Sequence, residues 1–216
     1  MSPKAADPSV RTALLEAAAR QIATGGSGSL TLRRLVDEVG TSTMAVYTHF
    51  GGMQNLRQEV RREGFARLRE HLESVTPTRN PLADLVRAGW EYYDNAVENP
   101  HLYRVMFLDH HEPADDTIGL DTFDRLVQLV ARCVEGGQLA AGDPFDLAVQ
   151  LWAALHGVVS LQLSGLLAPD LALEMVASSW RTLFLGFGAE PRTVTRALQA
   201  HPRRTPRAAR DLGSGG

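Results

Sequence analysis

Residues 41–52 read TSTMAVYTHFGG and contain no Lys, Arg, Asp or Glu, although charge-rich segments lie on both sides. Hydroxyl and imidazole groups in this stretch can bind phosphate oxygens, and its methyl and thioether groups can contact thymine methyls. Small, uncharged side chains allow a helix to approach the floor of a DNA major groove closely, and this composition fits such a face. The alternative is a short amphipathic helix that closes a small helical core and turns its polar side to water.

A second group of residues that could take part in chemistry is LDHHEPADD (108–116), which holds two His, one Glu and three Asp in nine residues. Such a cluster can bind a metal, and it makes an all-helical metal-binding enzyme the alternative function. Pro113 predicts a loop here, and no His/Glu pair at helical spacing recurs elsewhere as a helix-bundle metal site requires. Cys133 has no evident His partner, and the chain has no Gly-x-Ser-x-Gly or phosphate-binding glycine loop. We therefore expect no enzyme, no metal site and no cofactor.

Composition bounds the class of protein. The chain has 216 residues, of which 44% are apolar and 22% charged, so a packed core is expected. One cysteine excludes an internal disulfide framework and fits a reducing cytoplasm. Residues 1–75 hold ten Lys or Arg against eight Asp or Glu, whereas residues 76–200 hold eight against sixteen. A basic head on an acidic body suggests that only the head meets a polyanion.

Helical periodicity runs through the chain, and we predict an all-α fold. A first helix is expected over about 10–24, with Ser9 as its N-cap and Gly25 at its end. Thr31 should cap a second short helix that stops at Gly40. Thr41 or Ser42 should then cap a third, which ends at residues 51–52. Two short helices joined by a Gly-containing turn have the composition of a helix-turn-helix.

The remaining helices form the body. A long helix is expected over 53–74, and further helices over 81–97, 100–108, 117–135, 144–165 and 169–187. The predicted organisation is a flexible leader (1–9), a helix-turn-helix domain (10–52), a connecting helix (53–74), a regulatory and dimerisation domain (75–188) and a disordered tail (189–216). Residues 190–200 could instead form one further helix. The leader lacks a signal-peptide pattern, so we expect a cytoplasmic protein.

The run LTLRRLVDEVGTSTMAVYTHFGGMQNL resembles the DNA-binding head of the tetracycline-repressor (TetR) family of bacterial regulators. Features that agree in register include Thr31, Val39-Gly40-x-Ser42, Val46-Tyr47 and Phe50. In the body, NPHLYRVMF (99–107) and LWAALHG (151–157) resemble a TetR subgroup with a Trp-x-x-x-His-Gly signature. The resemblance implies a helix-turn-helix head joined to a C-terminal helical bundle that binds a ligand and dimerises.

The resemblance also implies roles for residues of the head. Thr31 would contact phosphate, Arg33 a base or phosphate, and Tyr47, Thr48 and His49 the DNA backbone. The Ser42 hydroxyl, at the start of the same helix, is a further group within reach of phosphates. Thr43, Met44 and Ala45 would face the bases. Many members of the family carry a Lys just after the recognition helix, where this chain has Gly51, Gly52 and Met53. Arg57 or a helix N-terminus would have to replace that contact.

The helices predicted over 144–165 and 169–187 are apolar on nearly every side. We therefore expect their own chain to cover one face of each helix and a second copy of the chain to cover the other. We predict a homodimer with a four-helix interface, and a palindromic operator for its paired recognition helices. The alternative is a monomeric bundle in which these helices are deeply buried. The interface residues expected from the sequence are Val149, Trp152, Ala153, Val159, Met175, Trp180 and Phe184.

Aromatic and amphipathic residues of the body could line a cavity for an apolar or aromatic effector, although each could equally be core. The candidates are Trp90, Tyr93, Tyr103, Met106, Phe107, Trp152 and His156. The resemblance implies that a small molecule shifts the body to a state that binds DNA less well, with helix 53–74 as the lever, so that a repressor is released. A third possibility is a head that binds protein partners only. The sequence names neither the effector nor the operator.

Overall fold

The computed structural model describes residues 7–107, 118–140 and 142–200. Within these ranges the chain forms ten α-helices and one short 3₁₀ helix, and no strand. The helices are α1 (Pro8–Gly25), α2 (Leu32–Val39), α3 (Thr43–Phe50), α4 (Met53–Glu73), α5 (Pro81–Glu98), α6 (Pro100–Phe107), α7 (Leu120–Glu135), α8 (Pro144–Leu163), α9 (Pro169–Gly186) and α10 (Pro191–Gln199). The 3₁₀ helix, Ser27–Ser29, lies between α1 and α2. The all-α prediction is confirmed.

The N-terminus of α1 differs from the sequence prediction. Its N-cap is Asp7 and not Ser9, because an Asp7 carboxylate oxygen accepts a hydrogen bond from the Ser9 backbone N–H at 2.9 Å. Pro8 occupies the first helical position, where its missing N–H costs nothing. The helix therefore begins two residues earlier than its apolar periodicity suggested.

The contacts divide the chain into two compact units. The first comprises residues within Met1–Arg67 and Asn99–Leu120, and the second residues within Leu68–Glu98 and Asp121–Gly216. Helix α6 belongs to the first unit, because its Leu102 and Val105 are buried in the same core as α1. This grouping differs from the sequence-based assignment of 75–188 to one continuous domain.

The core of the first unit holds the three N-terminal helices together. Leu14, Leu15 and Ala18 of α1 pack in one cluster with residues of α2, α3, α4 and α6. The contributions of the later helices are Leu35, Val36, Val46, Phe50, Leu56, Val60, Leu102 and Val105. Their burial fixes which sides of α2 and α3 remain open to solvent.

In the second unit, α8 packs against α9, and both α5 and α9 contact α10. Val194 and Ala197 of α10 are buried, so the segment after Gly188 continues as a packed helix up to Gln199, where the domain assignment had expected disorder. The rest of the predicted tail lies outside the described residues. Among the described helices, α8 is long and apolar enough to cross a membrane by length and composition, a test that core helices of water-soluble proteins also pass.

A buried carboxylate fixes the segment between α4 and α5. Asp84 is fully buried and accepts hydrogen bonds from the Thr78 hydroxyl at 2.6 Å and the Thr78 N–H at 2.7 Å. Arg87 and Arg132 also donate to it. Burial alone would raise the pKa of Asp84, but the hydrogen bonds from Thr78, Arg87 and Arg132 outweigh it and lower the pKa.

Candidate nucleic-acid interface

Side-chain caps and glycines set the limits of the two short helices α2 and α3. The Thr31 hydroxyl accepts from the Arg34 N–H at 3.4 Å, and the Ser42 hydroxyl accepts from the Ala45 N–H at 3.3 Å. Each helix ends at a glycine with a positive φ, 70° at Gly40 and 73° at Gly51. Glycine adopts this left-handed conformation without the steric cost that a Cβ imposes. The sequence therefore fixes the lengths of both helices locally.

One face of α3 is buried and the other is open. Val46 and Phe50 enter the core, whereas Thr43, Met44, Tyr47 and Thr48 are exposed. The four exposed residues stand at positions i, i+1, i+4 and i+5, which share one side of a helix. Met44 is 68% exposed and Tyr47 54%, so more than half of each of these two large side chains is open to solvent.

The other predicted contact residues flank this face. Ser42 is exposed at the start of α3, while Ala45 and His49 are half-buried at its edge, with the His49 ring 6.0 Å from the Phe50 ring. Thr31 and Arg33 are exposed at the N-terminus of α2. The predicted base-facing residues thus lie in the first turn of α3, and Tyr47, Thr48 and His49 lie in its second half. Thr31 and Arg33 lie at the start of the preceding helix α2.

Arg33 is an exposed and weakly paired cation of this region. Its side chain is 94% exposed and pairs only weakly with Asp37, at 3.9 Å. By contrast, Arg11 binds Glu59 at 2.6 Å and Arg20 binds Glu38 at 3.0 Å. A hydrogen bond from Gln21 is the main cause that lowers the pKa of Glu38, and Arg20 adds to it. These pairs hold the head together and are less suited to phosphate than Arg33.

The position of the missing lysine lies at the turn into α4. Arg57, one candidate replacement, donates to the Leu30 carbonyl at 3.5 Å and is half-buried. The other candidate, the N-terminus of α4, begins at Met53 after two glycines. Tyr47 lies over this turn, because a Cβ at Gly52 would stand 3.8 Å from its ring.

The predicted pocket residues fall into both units. Tyr103 and Phe107 lie in the first, where their rings are 5.0 Å apart and Phe107 also contacts Phe65. Met106 is buried there too, and a Cβ at Gly64 would stand 2.6 Å from its side chain. These three residues therefore pack as part of the first unit.

Trp90, Tyr93, Trp152 and His156 lie in the second unit. Trp90 contacts Tyr93 with ring centroids 5.8 Å apart, and Trp152 contacts His156 at 5.2 Å. Burial lowers the pKa of His156 and raises the pKa of Tyr93.

Two polar partners in this region were not among the predicted site residues. The Tyr92 hydroxyl lies 3.3 Å from His156 Nδ1, and the Tyr93 hydroxyl donates to Gln162. Gln162 is a lone amide in an otherwise apolar stretch of α8. Such an interruption is a sequence signal for a buried hydrogen-bond partner.

The predicted interface residues on α8 and α9 divide by exposure. Val149, Ala153 and Met175 are exposed and Trp152 is half-buried, whereas Val159, Trp180 and Phe184 are buried within a single chain. Further exposed apolar residues not predicted for the interface are Phe145, Leu161, Leu171 and Leu185. Phe145, Val149 and Ala153 recur every four residues, so these three side chains lie in one row along α8.

The structure describes only part of what the alternative enzyme would need. The histidine-acid loop 108–116 lies outside the described residues. Among the residues that the structure does describe, no cluster of three metal-ligating side chains occurs. Burial raises the pKa of the Cys133 thiol to about 12, so this cysteine is a poor nucleophile at neutral pH.

Comparison with known proteins decides the family. Residues 14–60 match the family model described as "Bacterial regulatory proteins, tetR family", and residues 85–187 match "Tetracyclin repressor-like, C-terminal domain". The HTH-type transcriptional repressor AcnR of Corynebacterium diphtheriae is 30% identical over 164 residues, which cover 72% of this chain and 82% of AcnR. The chain belongs to the TetR family.

Other relatives agree with this TetR-family assignment. AcnR of Corynebacterium glutamicum is 28% identical over 163 residues, 72% of this chain and 82% of that protein. A structure of a Rhodococcus protein of unknown function has a TM-score of 0.69 at 26% identity, covering 88% of this chain and all of that one. An ArpA-like γ-butyrolactone receptor shares the fold, with a TM-score of 0.68 at 17% identity over 89% of this chain and 98% of the receptor. The protein is therefore a TetR-type transcriptional regulator.

Proposed function

We propose that this TetR-family regulator binds a roughly palindromic operator as a homodimer, represses transcription there and is released by a small-molecule effector. The observation that carries the proposal is the exposed, uncharged face of α3 formed by Thr43, Met44, Tyr47 and Thr48. A short helix that is capped at both ends and apolar on its inner side presents this face rigidly. Family membership as a regulator supports a DNA partner and a cytoplasmic location.

On this proposal the head divides its contacts between bases and phosphates. Thr43, Met44 and Ala45 contact base edges in the major groove, since they stand in the first turn of α3. Ser42, Tyr47, Thr48 and His49 contact the DNA backbone, as do Thr31 and Arg33 at the start of α2. The N-terminus of α4 takes the place of the missing lysine, because Arg57 is occupied with Leu30.

The dimer would form through the exposed side of the α8–α9 pair. Val149, Ala153 and Met175 contact the second copy directly, with Leu161, Leu171 and Leu185 beside them. Trp152 lies at the edge of this face, while Val159, Trp180 and Phe184 support it from inside the chain. Two copies related by a two-fold axis would set their recognition helices about 34 Å apart, or at a multiple of that spacing.

The effector would bind in the second unit, near Trp90, Tyr93, Trp152 and His156. A half-buried imidazole with a tyrosine partner, set among aromatic rings, offers hydrogen bonds and apolar contact to an aromatic ligand. Trp152, His156 and Gly157 also form the Trp-x-x-x-His-Gly pattern, so we place the protein in the TetR subgroup with that signature. Tyr103, Met106 and Phe107 are core residues of the first unit on this account.

Selection of bound duplexes from a random pool, at one stated salt concentration, tests the proposal. The expected result is a two-fold symmetric consensus whose half-sites are about one DNA turn apart, and affinity for it should fall steeply as salt rises. The double variant Thr43→Ala, Tyr47→Phe should bind the consensus at least tenfold more weakly, and the control Thr24→Ala on the exposed end of α1 should not. Absence of any enriched sequence would reject operator binding, and an asymmetric consensus would reject the dimer.

A further inference from the structure

A cleft of about 440 Å³ opens in the second unit where the end of α4, the segment after it and the start of α7 meet. This volume lies in the range of small-molecule sites, which is about 300–1,000 Å³. None of the residues that line it belongs to the aromatic group around Trp152 and His156. The cleft is therefore a separate cavity from the proposed effector site.

The charges of the cleft are unevenly paired. Asp121 and Arg125 stand one turn apart on α7, a spacing that favours an ion pair. Asp121 binds Arg69 instead, at 3.3 Å. Arg125 is half-buried and has no hydrogen-bond or ion-pair partner in the part of the chain that the structure describes. The remaining acid of the cleft, Glu73, is exposed.

Because the Arg125 guanidinium has no partner among the described residues, an anion that reaches it gains charge-assisted hydrogen bonds without displacing an existing one. The planar guanidinium fork matches a carboxylate with two parallel hydrogen bonds. The first turn of α7, which includes Thr122, borders the same space and adds the positive end of a helix dipole. Arg69 supplies a second cation beside it.

Part of the lining of the cleft is apolar, and the segment that carries it is held in place by hydrogen bonds. Leu72, Val75 and Pro77 line it, and Val75 is buried. The Arg87 guanidinium donates to the Thr76 carbonyl at 3.2 Å, and Thr78 binds the buried Asp84 carboxylate. A wall fixed in this way does not need to be ordered by the ligand, which lowers the entropic cost of binding.

We propose that this cleft binds a small carboxylate-bearing molecule. Arg125 and Arg69 would bind the carboxylate, and Leu72, Val75 and Pro77 would contact its short apolar part. A free phosphate offers the same charge without the apolar part, so the two ligands can be told apart by experiment. The proposal concerns ligand binding by the chain itself and does not depend on operator binding.

The test is isothermal titration of the full-length protein with 3-methylbutanoate, with its neutral analogue 3-methylbutanamide and with inorganic phosphate. We expect saturable binding of the carboxylate, and at least tenfold weaker binding of the amide and of phosphate. Arg125→Gln should reduce carboxylate affinity at least tenfold, while the control Arg192→Gln, an exposed arginine on α10, should leave it unchanged.

A loss of folding would not mimic this result, because Arg125 makes no internal hydrogen bond or ion pair in the described structure. The melting temperature of Arg125→Gln should therefore match or exceed that of the unmodified chain. Equal binding of the amide and the carboxylate would overturn the proposal, as would carboxylate binding that survives Arg125→Gln. Saturation by phosphate alone, or by none of the three probes, would also overturn it.

Discussion

The Ser42 hydroxyl accepts a hydrogen bond from the backbone N–H of Ala45 at 3.3 Å, and this contact sets the residue at which α3 begins. Because α3 has only eight residues, its first turn is a large part of the helix. Thr43 and Met44, which we propose contact bases, lie in that turn. The orientation of the proposed DNA-reading side chains therefore depends on one N-cap.

Replacing that cap separates its structural role from its role in DNA contact. Ser42→Ala should lower the free energy of unfolding by about 1 kcal/mol, since it removes the N-cap acceptor. Ser42→Asp keeps an acceptor, so its stability should match that of the unmodified protein, while its added negative charge should repel phosphate and weaken operator binding. Urea unfolding and fluorescence anisotropy measure the two effects. Normal operator affinity for Ser42→Asp would show that the start of α3 does not face DNA.

Met44 should read thymine through its methyl group. Replacing contacted thymines by uracil removes that methyl, which should cost about 0.8 kcal/mol, or roughly fourfold in affinity. Met44→Ala should already have lost this contact, so its affinity should change little on the same replacement. Leu120→Ala, a similarly exposed apolar residue outside the head helices, serves as the control. Equal uracil effects in the unmodified protein and in Met44→Ala would contradict the assignment.

Met175 should lie at the centre of the contact between two copies. A charge placed there would be buried without a partner, so Met175→Glu should weaken the dimer by about 3 kcal/mol or more. Sedimentation at several concentrations should show a dimer for the unmodified chain and a monomer for the variant. Thr24→Glu introduces the same charge at an exposed residue of α1, in the first unit, and it should remain dimeric. A dimeric Met175→Glu would move the interface to another surface.

Asp84 should contribute stability that is lost in acid. Its folded-state pKa is lowered, so its contribution is fully present above the unfolded-state value of about 3.9 and disappears as pH falls through the folded-state value. Asp84→Asn should lower the free energy of unfolding by about 3 kcal/mol at neutral pH, because it leaves Arg87 and Arg132 without their carboxylate. The difference from the unmodified protein should shrink below about pH 3.9.

Urea unfolding at neutral and at acid pH measures this difference. Asp124→Asn, an exposed carboxylate on α7, provides the control and should change stability by less than about 0.5 kcal/mol. If the difference in free energy of unfolding between Asp84→Asn and the unmodified chain stayed constant across the acid range, the Asp84 carboxylate would not be the source of the acid-dependent stability.

Local chemistry explains which parts of the fold the sequence could predict. Thr31, Ser42, Gly40 and Gly51 act on backbone atoms within four residues, so their effect on helix ends can be read without the tertiary structure. The error at α1 has the same origin, since both Asp7 and Ser9 are good caps and only the position of Pro8 separates them. Helix types and approximate limits follow from such signals.

Features set by packing were not predictable in this way. Helices α8 and α9 are apolar on nearly every side, so periodicity could not separate Val149 and Met175, which are exposed, from Val159 and Trp180, which are buried. The grouping of α6 with α1 depends on contacts between residues about 80 positions apart. The spacing of Asp121 and Arg125 on α7 likewise suggests that they pair. Only the structure shows that Asp121 binds Arg69 instead.

The central claim is tested most directly by sedimentation. The full-length chain is mixed with the selected duplex, which carries a label, and the labelled species are sedimented. We expect a single complex of two chains on each two-fold symmetric duplex, whose formation is abolished by the Thr43→Ala, Tyr47→Phe variant and weakened by added salt. A chain that sediments alone in the presence of the duplex, even at low ionic strength, would contradict the claim that the uncharged face of α3 is a paired DNA-reading surface.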